Sequence, residues 1–114
     1  MDRKYEVIFC VINAGFSEEV MTAARKAGAR GGTIIKGRGT ASREAEQVFN
    51  ISIQPEKEIV MILVPTEIKD HVLRMIYDSV GLDAEGQGIV FTLPVERALG
   101  LKDDAQEKNG EEKP

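Results

Sequence analysis

Residues 59–94, IVMILVPTEIKDHVLRMIYDSVGLDAEGQGIVFTLP, hold a complete strand–helix–strand unit. The run at 59–64 is apolar, short and rich in β-formers, and Pro65 stops it. Thr66 is placed to cap a helix whose apolar positions Ile68, Val72, Ile76 and Val80 recur every fourth residue, with Leu73 and Met75 beside them. Gly81 closes that helix. A glycine-containing loop over residues 83–88 follows, and residues 89–93, IVFTL, make a last strand ended by Pro94.

Outward toward the N-terminus, a second unit of the same kind appears. Residues 5–12, YEVIFCVI, are a nearly continuous β-forming run, which predicts a strand buried on both faces. Asn13-Ala14-Gly15 is a turn. Ser17 is positioned as an N-cap, with Glu18 and Glu19 in the first turn, where the helix dipole favours negative charge. Phe16 and Met21 have the spacing of a hydrophobic staple, and Val20, Met21, Ala24 and Ala27 share a face. Gly28 ends this helix as a left-handed cap. Residues 33–36 form a short strand. Residues 37–50, GRGTASREAEQVFN, lack a clear period and read as a long loop. Residues 51–53 and 59–64 read as one strand, broken or preceded by a turn at Gln54-Pro55-Glu56-Lys57.

Two βαβ halves in tandem predict an α+β, ferredoxin-like βαββαβ domain: an antiparallel four-stranded sheet with both helices on one face. The other face is then bare. Because the first strand carries apolar residues on both sides, that face needs a cover, and oligomerisation supplies one for a small chain.

With 114 residues and 12.5 kDa, there is material for one domain, expected over residues 1–101. Residues 102–114, KDDAQEKNGEEKP, are charged and nearly devoid of apolar side chains, which predicts a disordered acidic tail. Net charge −4 and a pI near 5.1 argue against nucleic-acid binding. No stretch approaches the roughly 20 apolar residues of a membrane span, and the N-terminus lacks the pattern of a signal peptide. A cytoplasmic protein without membrane insertion is expected, and Asn50-Ile51-Ser52 is then a coincidental glycosylation sequon.

The catalytic inventory is thin. The one cysteine, Cys10, lies in an apolar strand and reads as a core thiol. The one histidine, His71, falls on the second helix away from other polar clusters. Neither a metal cluster nor a Cys–His dyad can be assembled, no nucleophile elbow is present, and Glu44 and Glu46 read as solvated loop charges. The chain is not expected to be an enzyme. Anion binding has more support. Between residues 30 and 43 the sequence carries Arg30, Lys36, Arg38 and Arg43 with no acid, interleaved with Gly31, Gly32, Gly37, Gly39 and Thr40. A second glycine loop, Gly86-Gln87-Gly88, lacks the lysine and hydroxyl residue of a P-loop.

Together, GGTIIKGRG at 31–39, PEKEIV at 55–60 and GQGIVF at 86–91 with Pro94-Val95-Glu96 resemble the PII nitrogen-regulatory signalling family, over about residues 5–101. The resemblance implies a homotrimer with ATP, ADP or AMP as a regulatory ligand in the clefts between subunits. It also implies a mobile loop, here about 37–54, that docks on a regulated transporter or enzyme, and a role in nitrogen metabolism. Carried over by position, the nucleotide-binding residues are Thr33 near the base, Lys36, Gly37, Arg38 and Gly39 at the start of the loop, Val64 beside the nucleotide, and Gly86, Gln87 and Gly88 at the phosphates.

Two departures stand out. Ile89 occupies the place of the family's phosphate-binding lysine, and Gly100 that of an arginine, with Lys102 beside the equivalent position. Each lost cation removes a charge-assisted contact worth about 1.5–3 kcal/mol. The loop is also a few residues short and lacks the tyrosine that enteric members modify, since Tyr5 and Tyr77 fall in regular structure; uridylylation is not expected. The alternative is a ligand-free adaptor trimer that has lost the nucleotide site, and a metal-associated trimer of the same fold is less expected with one Cys and one His per chain.

Overall fold

A computed structural model describes residues 4–40, 44, 47, 55–83 and 87–101. Along the chain run β1 (Tyr5–Asn13), α1 (Ser17–Lys26), β2 (Thr33–Arg38), β3 (Glu56–Pro65), a 3-10 turn (Thr66–Ile68), α2 (Lys69–Val80) and β4 (Gly88–Val95). The strands form one antiparallel sheet in the order β2-β3-β1-β4. This is the ferredoxin-like α+β arrangement that two tandem βαβ halves predict.

The register divides the sheet into two faces, because side chains alternate along each strand. Ile8, Cys10 and Ile12 of β1 and Val60, Ile62 and Val64 of β3 are fully buried, together with Val20 and Ala24 of α1 and Val72 and Ile76 of α2. They form the core under the two helices. On the opposite face, rows cross the strands in register: Thr33, Met61, Phe9 and Phe91, then Ile35, Ile59, Val11 and Ile89, with Leu63, Val7 and Leu93 beside them. Phe9 and Phe91 stack with ring centroids 5.5 Å apart. Ile35, Ile89, Phe91 and Leu93 are exposed, and β1 is therefore buried on one face only within the chain.

Several local expectations are corrected. Glu56 and Lys57 belong to β3 rather than to a turn, and β2 extends to Arg38, since the two strands pair out to Arg38–Glu56. Pro94 lies inside β4, opposite Glu6. β4 is an edge strand, the place in a sheet where proline is tolerated. Ser17 is the first helical residue, Phe16 holds the N-cap position, and no side chain of the cap residue bonds the helix. Thr66 opens the 3-10 turn, so the cap of α2 is Ile68. Gly81, with φ of +70°, closes α2 as expected. The expected tail and residues 41–43, 45–46 and 48–54 of the expected loop lie outside the described residues. Within that loop, Glu44 and Gln47 are exposed helical positions.

The N-terminus of α1 is capped from another strand. Glu58 of β3 accepts a hydrogen bond from the Gly15 N–H at 3.2 Å and others from Ser17, placing a carboxylate where the helix dipole favours it. The Ser17 contacts first, then Gly15 and the charge of Lys36, hold the Glu58 carboxyl below its ordinary value of 4.5. A depressed carboxyl pKa contributes stability that is complete above the unfolded value and lost as pH falls through the folded one. The wild type should therefore lose stability relative to Glu58→Gln as pH drops below about 4.5. Urea unfolding of both proteins between pH 3 and 6 measures this; a difference that does not change with pH would remove Glu58 from the role.

Candidate functional site

The sequence-predicted site residues separate into three places. Thr33 opens β2 on the uncovered sheet face. There it lines a concavity of about 470 Å³ with Gly31, Gly32, Val7, Met61, Leu63 and Val95. The shape follows from the strand lengths: β2 begins at Thr33, opposite Met61, while β3 runs on to Pro65, so residues 31 and 32 curl past the unpaired end of β3. Gly32 is required at that bend. A Cβ there would stand 2.9 Å from the Met61 carbonyl oxygen and 3.1 Å from Met21 Sδ.

Lys36, Gly37, Arg38 and Gly39 lie at or just past the far end of β2, three to six residues and roughly 10–20 Å from Thr33 at ~3.3 Å per residue. By alternation Lys36 and Arg38 project to the helix side of the sheet, the opposite face from Thr33. Each meets an acid directly across the strand pair: Lys36 faces Glu58 and Arg38 faces Glu56. Lys57, the cation at this end on the open-face side, donates to Asn13 Oδ1 at 2.6 Å. Gly39 donates its N–H to the Pro55 carbonyl at 2.7 Å, which closes the pairing of the two strands.

Gln87 and Gly88 stand at the same end of the sheet, because Gly88 pairs with Ile12 and Asn13 with Lys57, the partner of Gly37. Two strands intervene, so Gly37 and Gly88 are roughly 14 Å apart at ~4.8 Å per strand. Gln87 serves the fold directly, because its side-chain amide donates to the Val80 carbonyl at 3.1 Å and satisfies the C-terminal end of α2. Gly86 lies outside the described residues. The Val64 side chain is fully buried on the helix side of β3, and its neighbour Leu63 lines the concavity instead.

Reading residues 30–43 alone overlooked Glu56 and Glu58, because the acids that balance Lys36 and Arg38 arrive from β3. The signal was available as matched alternation: Lys36-Gly37-Arg38 against Glu56-Lys57-Glu58. His71 is exposed on α2. Among the described residues no group of His, Cys, Asp or Glu could hold a metal ion, and no helix is long and apolar enough to cross a membrane. Cys10 is fully buried, and burial pushes its thiol up to about 11. It should react with Ellman's reagent at pH 8 only after denaturation; rapid labelling of the native protein would place it outside the core.

The family description "Nitrogen regulatory protein P-II" matches residues 5–105, which spans β1 to β4. The chain belongs to this family. No curated protein sequence matches it. Among solved structures it is similar to Arabidopsis thaliana PII bound to citrate, at 23% identity and TM-score 0.60, over 82% of this chain and 79% of that one. It is also similar to a Bacillus cereus protein related to NIF3, at 14% identity and TM-score 0.64, over 83% of this chain and 26% of that longer one. At these identities the structures support the fold, and the family match carries the P-II assignment. The P-II family is a regulatory one.

Proposed function

We propose that this P-II chain is a cytoplasmic signalling protein that assembles as a homotrimer through its open sheet face. It takes a nucleotide at the rim between subunits, and the segment 37–54 responds to that ligand by docking on a transporter or enzyme of nitrogen metabolism. The observation that carries this reading is the uncovered apolar face, with Ile35, Ile89, Phe91 and Leu93 exposed in register across the strands. A chain in water leaves such a patch bare at a cost, and copies related by three-fold symmetry would cover it. The separation of the Thr33 concavity from Gly37 and Gly88 supports it too, since a second subunit would complete what one chain leaves apart. Arabidopsis PII was solved with citrate, a small anion, and a small anionic effector suits the same class of site. Any ligand shifts the loop only by the difference in its affinity for the two loop states.

Light scattering after size exclusion tests the assembly, and a mass near three times 12.5 kDa is expected. Calorimetric titration with adenine nucleotides, with and without magnesium, tests the ligand, and about one site per subunit is expected. A trimer silent toward all of them would favour the adaptor reading. The exposed Ile89 and the acids opposite Lys36 and Arg38 are the observations on its side.

A further inference from the structure

The bonds around the β1–α1 turn bear on what a movement at the base of segment 37–54 does to the rest of the chain. Three consecutive residues at the start of β3 each hold one residue of that turn. The Ala14 N–H donates to the Glu56 carbonyl at 3.2 Å, which carries the β1–β3 ladder one step past Asn13. From the open side of the sheet, Lys57 Nζ donates to Asn13 Oδ1 at 2.6 Å. From the helix side, Glu58 Oε1 accepts from the Gly15 N–H at 3.2 Å. The turn is thus held in the plane of the sheet and on both of its faces. Helix α1 begins two residues later, at Ser17.

Across β3 from the turn stands Gly39, whose N–H donates to the Pro55 carbonyl at 2.7 Å. A Cβ on Gly39 would lie 3.0 Å from Cε and 3.1 Å from Cγ of Lys57. The lysine stem therefore passes directly against Gly39 before its ammonium reaches Asn13. Gly39 has no left-handed φ, so what glycine supplies there is room for the lysine. We propose that Lys57 is a strap between the base of segment 37–54 and the β1–α1 turn: a change at Gly39 displaces the lysine, releases Asn13 and loosens the start of α1. The strap stands on the fold alone; its use in signalling rests on the regulatory reading above, in which that segment answers a ligand or a docked partner. One hydrogen bond from a long, rotamer-rich side chain is easily exchanged, and the bonds of Ala14 and Gly15 remain to keep the turn from unfolding outright. The coupling is reciprocal, so a partner that orders the first turn of α1 also settles the lysine over Gly39.

The test is amide hydrogen exchange of the full chain, followed by NMR at neutral pH, in wild type, Gly39→Ala, Lys57→Ala and the double variant. Ala14 and Gly15 should exchange roughly tenfold faster in each single variant, as the loss of one charge-assisted bond loosens the turn. The double variant should show no more than either single one, because both substitutions remove the same strap. Ile8 and Ile62 in the core should keep their rates, which separates local release from a loss of global stability. Wild-type rates at Ala14 and Gly15 in Gly39→Ala would overturn the proposal. So would effects that multiply in the double variant, or core amides that accelerate in step with the turn. The protein is measured without ligand, so such a result leaves the nucleotide reading standing, and a failure to bind nucleotide leaves the strap standing.

Discussion

Replacing Gly88 by alanine should lower stability by roughly 2–5 kcal/mol and loosen the end of the β1–β4 pairing. Gly88 sits at φ of +149°, and a Cβ there would lie 2.5 Å from the Val11 carbonyl oxygen and 3.2 Å from Ile12 Cα. Backbone strain at such a φ costs about 1–3 kcal/mol, and a clash with main chain that cannot swing away adds about 1–3 more. The neighbouring strand cannot retreat without losing its pairing on the other side, where Ile12 is held opposite Glu58 of β3. Urea denaturation measures the loss; a variant within 0.5 kcal/mol of wild type, the usual range of surface substitutions, would show that the close passage of β1 is not what requires glycine there. The same geometry bears on function. Resemblance places Gly88 at the phosphates, yet the close passage of β1 is sufficient reason for glycine without any ligand. Gly37, by contrast, has nothing within 4 Å of where a Cβ would stand, so its backbone is open to a visitor.

What could be read from sequence, and what could not, follows the range of the interactions involved. The four-residue spacing of Ile68, Val72, Ile76 and Val80 marks α2, and three of those four side chains are fully or nearly fully buried. Gly81 as a left-handed terminator is equally local. The bare second face was legible as well, because the apolar residues of β1 on both parities demanded two covers and the helices supply one. Apart from Thr66, which opens a 3-10 turn instead of capping α2, the errors are non-local. Ser17 looked like a cap because its own surroundings suit one, whereas the anion at that helix end comes from Glu58, 43 positions beyond Gly15 in sequence. Lys36 and Arg38 looked like uncompensated cations because their acids lie on the other side of the long connection. Val64, matched by resemblance to a position beside a nucleotide, lies in the core, and one step of strand alternation puts Leu63 in the concavity of the open face.

The open face offers the second large effect. Phe91→Asp should convert the proposed trimer to monomers while leaving each chain folded. Phe91 lies near the middle of the face, in the row with Thr33, Met61 and Phe9, and stacks on Phe9. In the single chain it is 40% exposed, so an aspartate there keeps much of its hydration. Once a second copy covers the face, the same carboxylate loses its water without gaining a partner. The described face around it is apolar and offers no cation in its row or the next. An unpaired buried charge costs several kcal/mol, and each trimer would bury three. The lost stacking and apolar area act in the same direction, by about 0.5–1.5 kcal/mol for the aromatic pair. Circular dichroism should stay native, since Phe91 lies outside the core beneath the helices, while light scattering should report a mass near 12.5 kDa. A variant that stays trimeric would mean that the copies meet elsewhere and that the apolar rows serve another partner. If it becomes monomeric and also loses nucleotide, the ligand site is shared between subunits; a monomer that keeps full affinity would confine the site to the concavity beside Thr33.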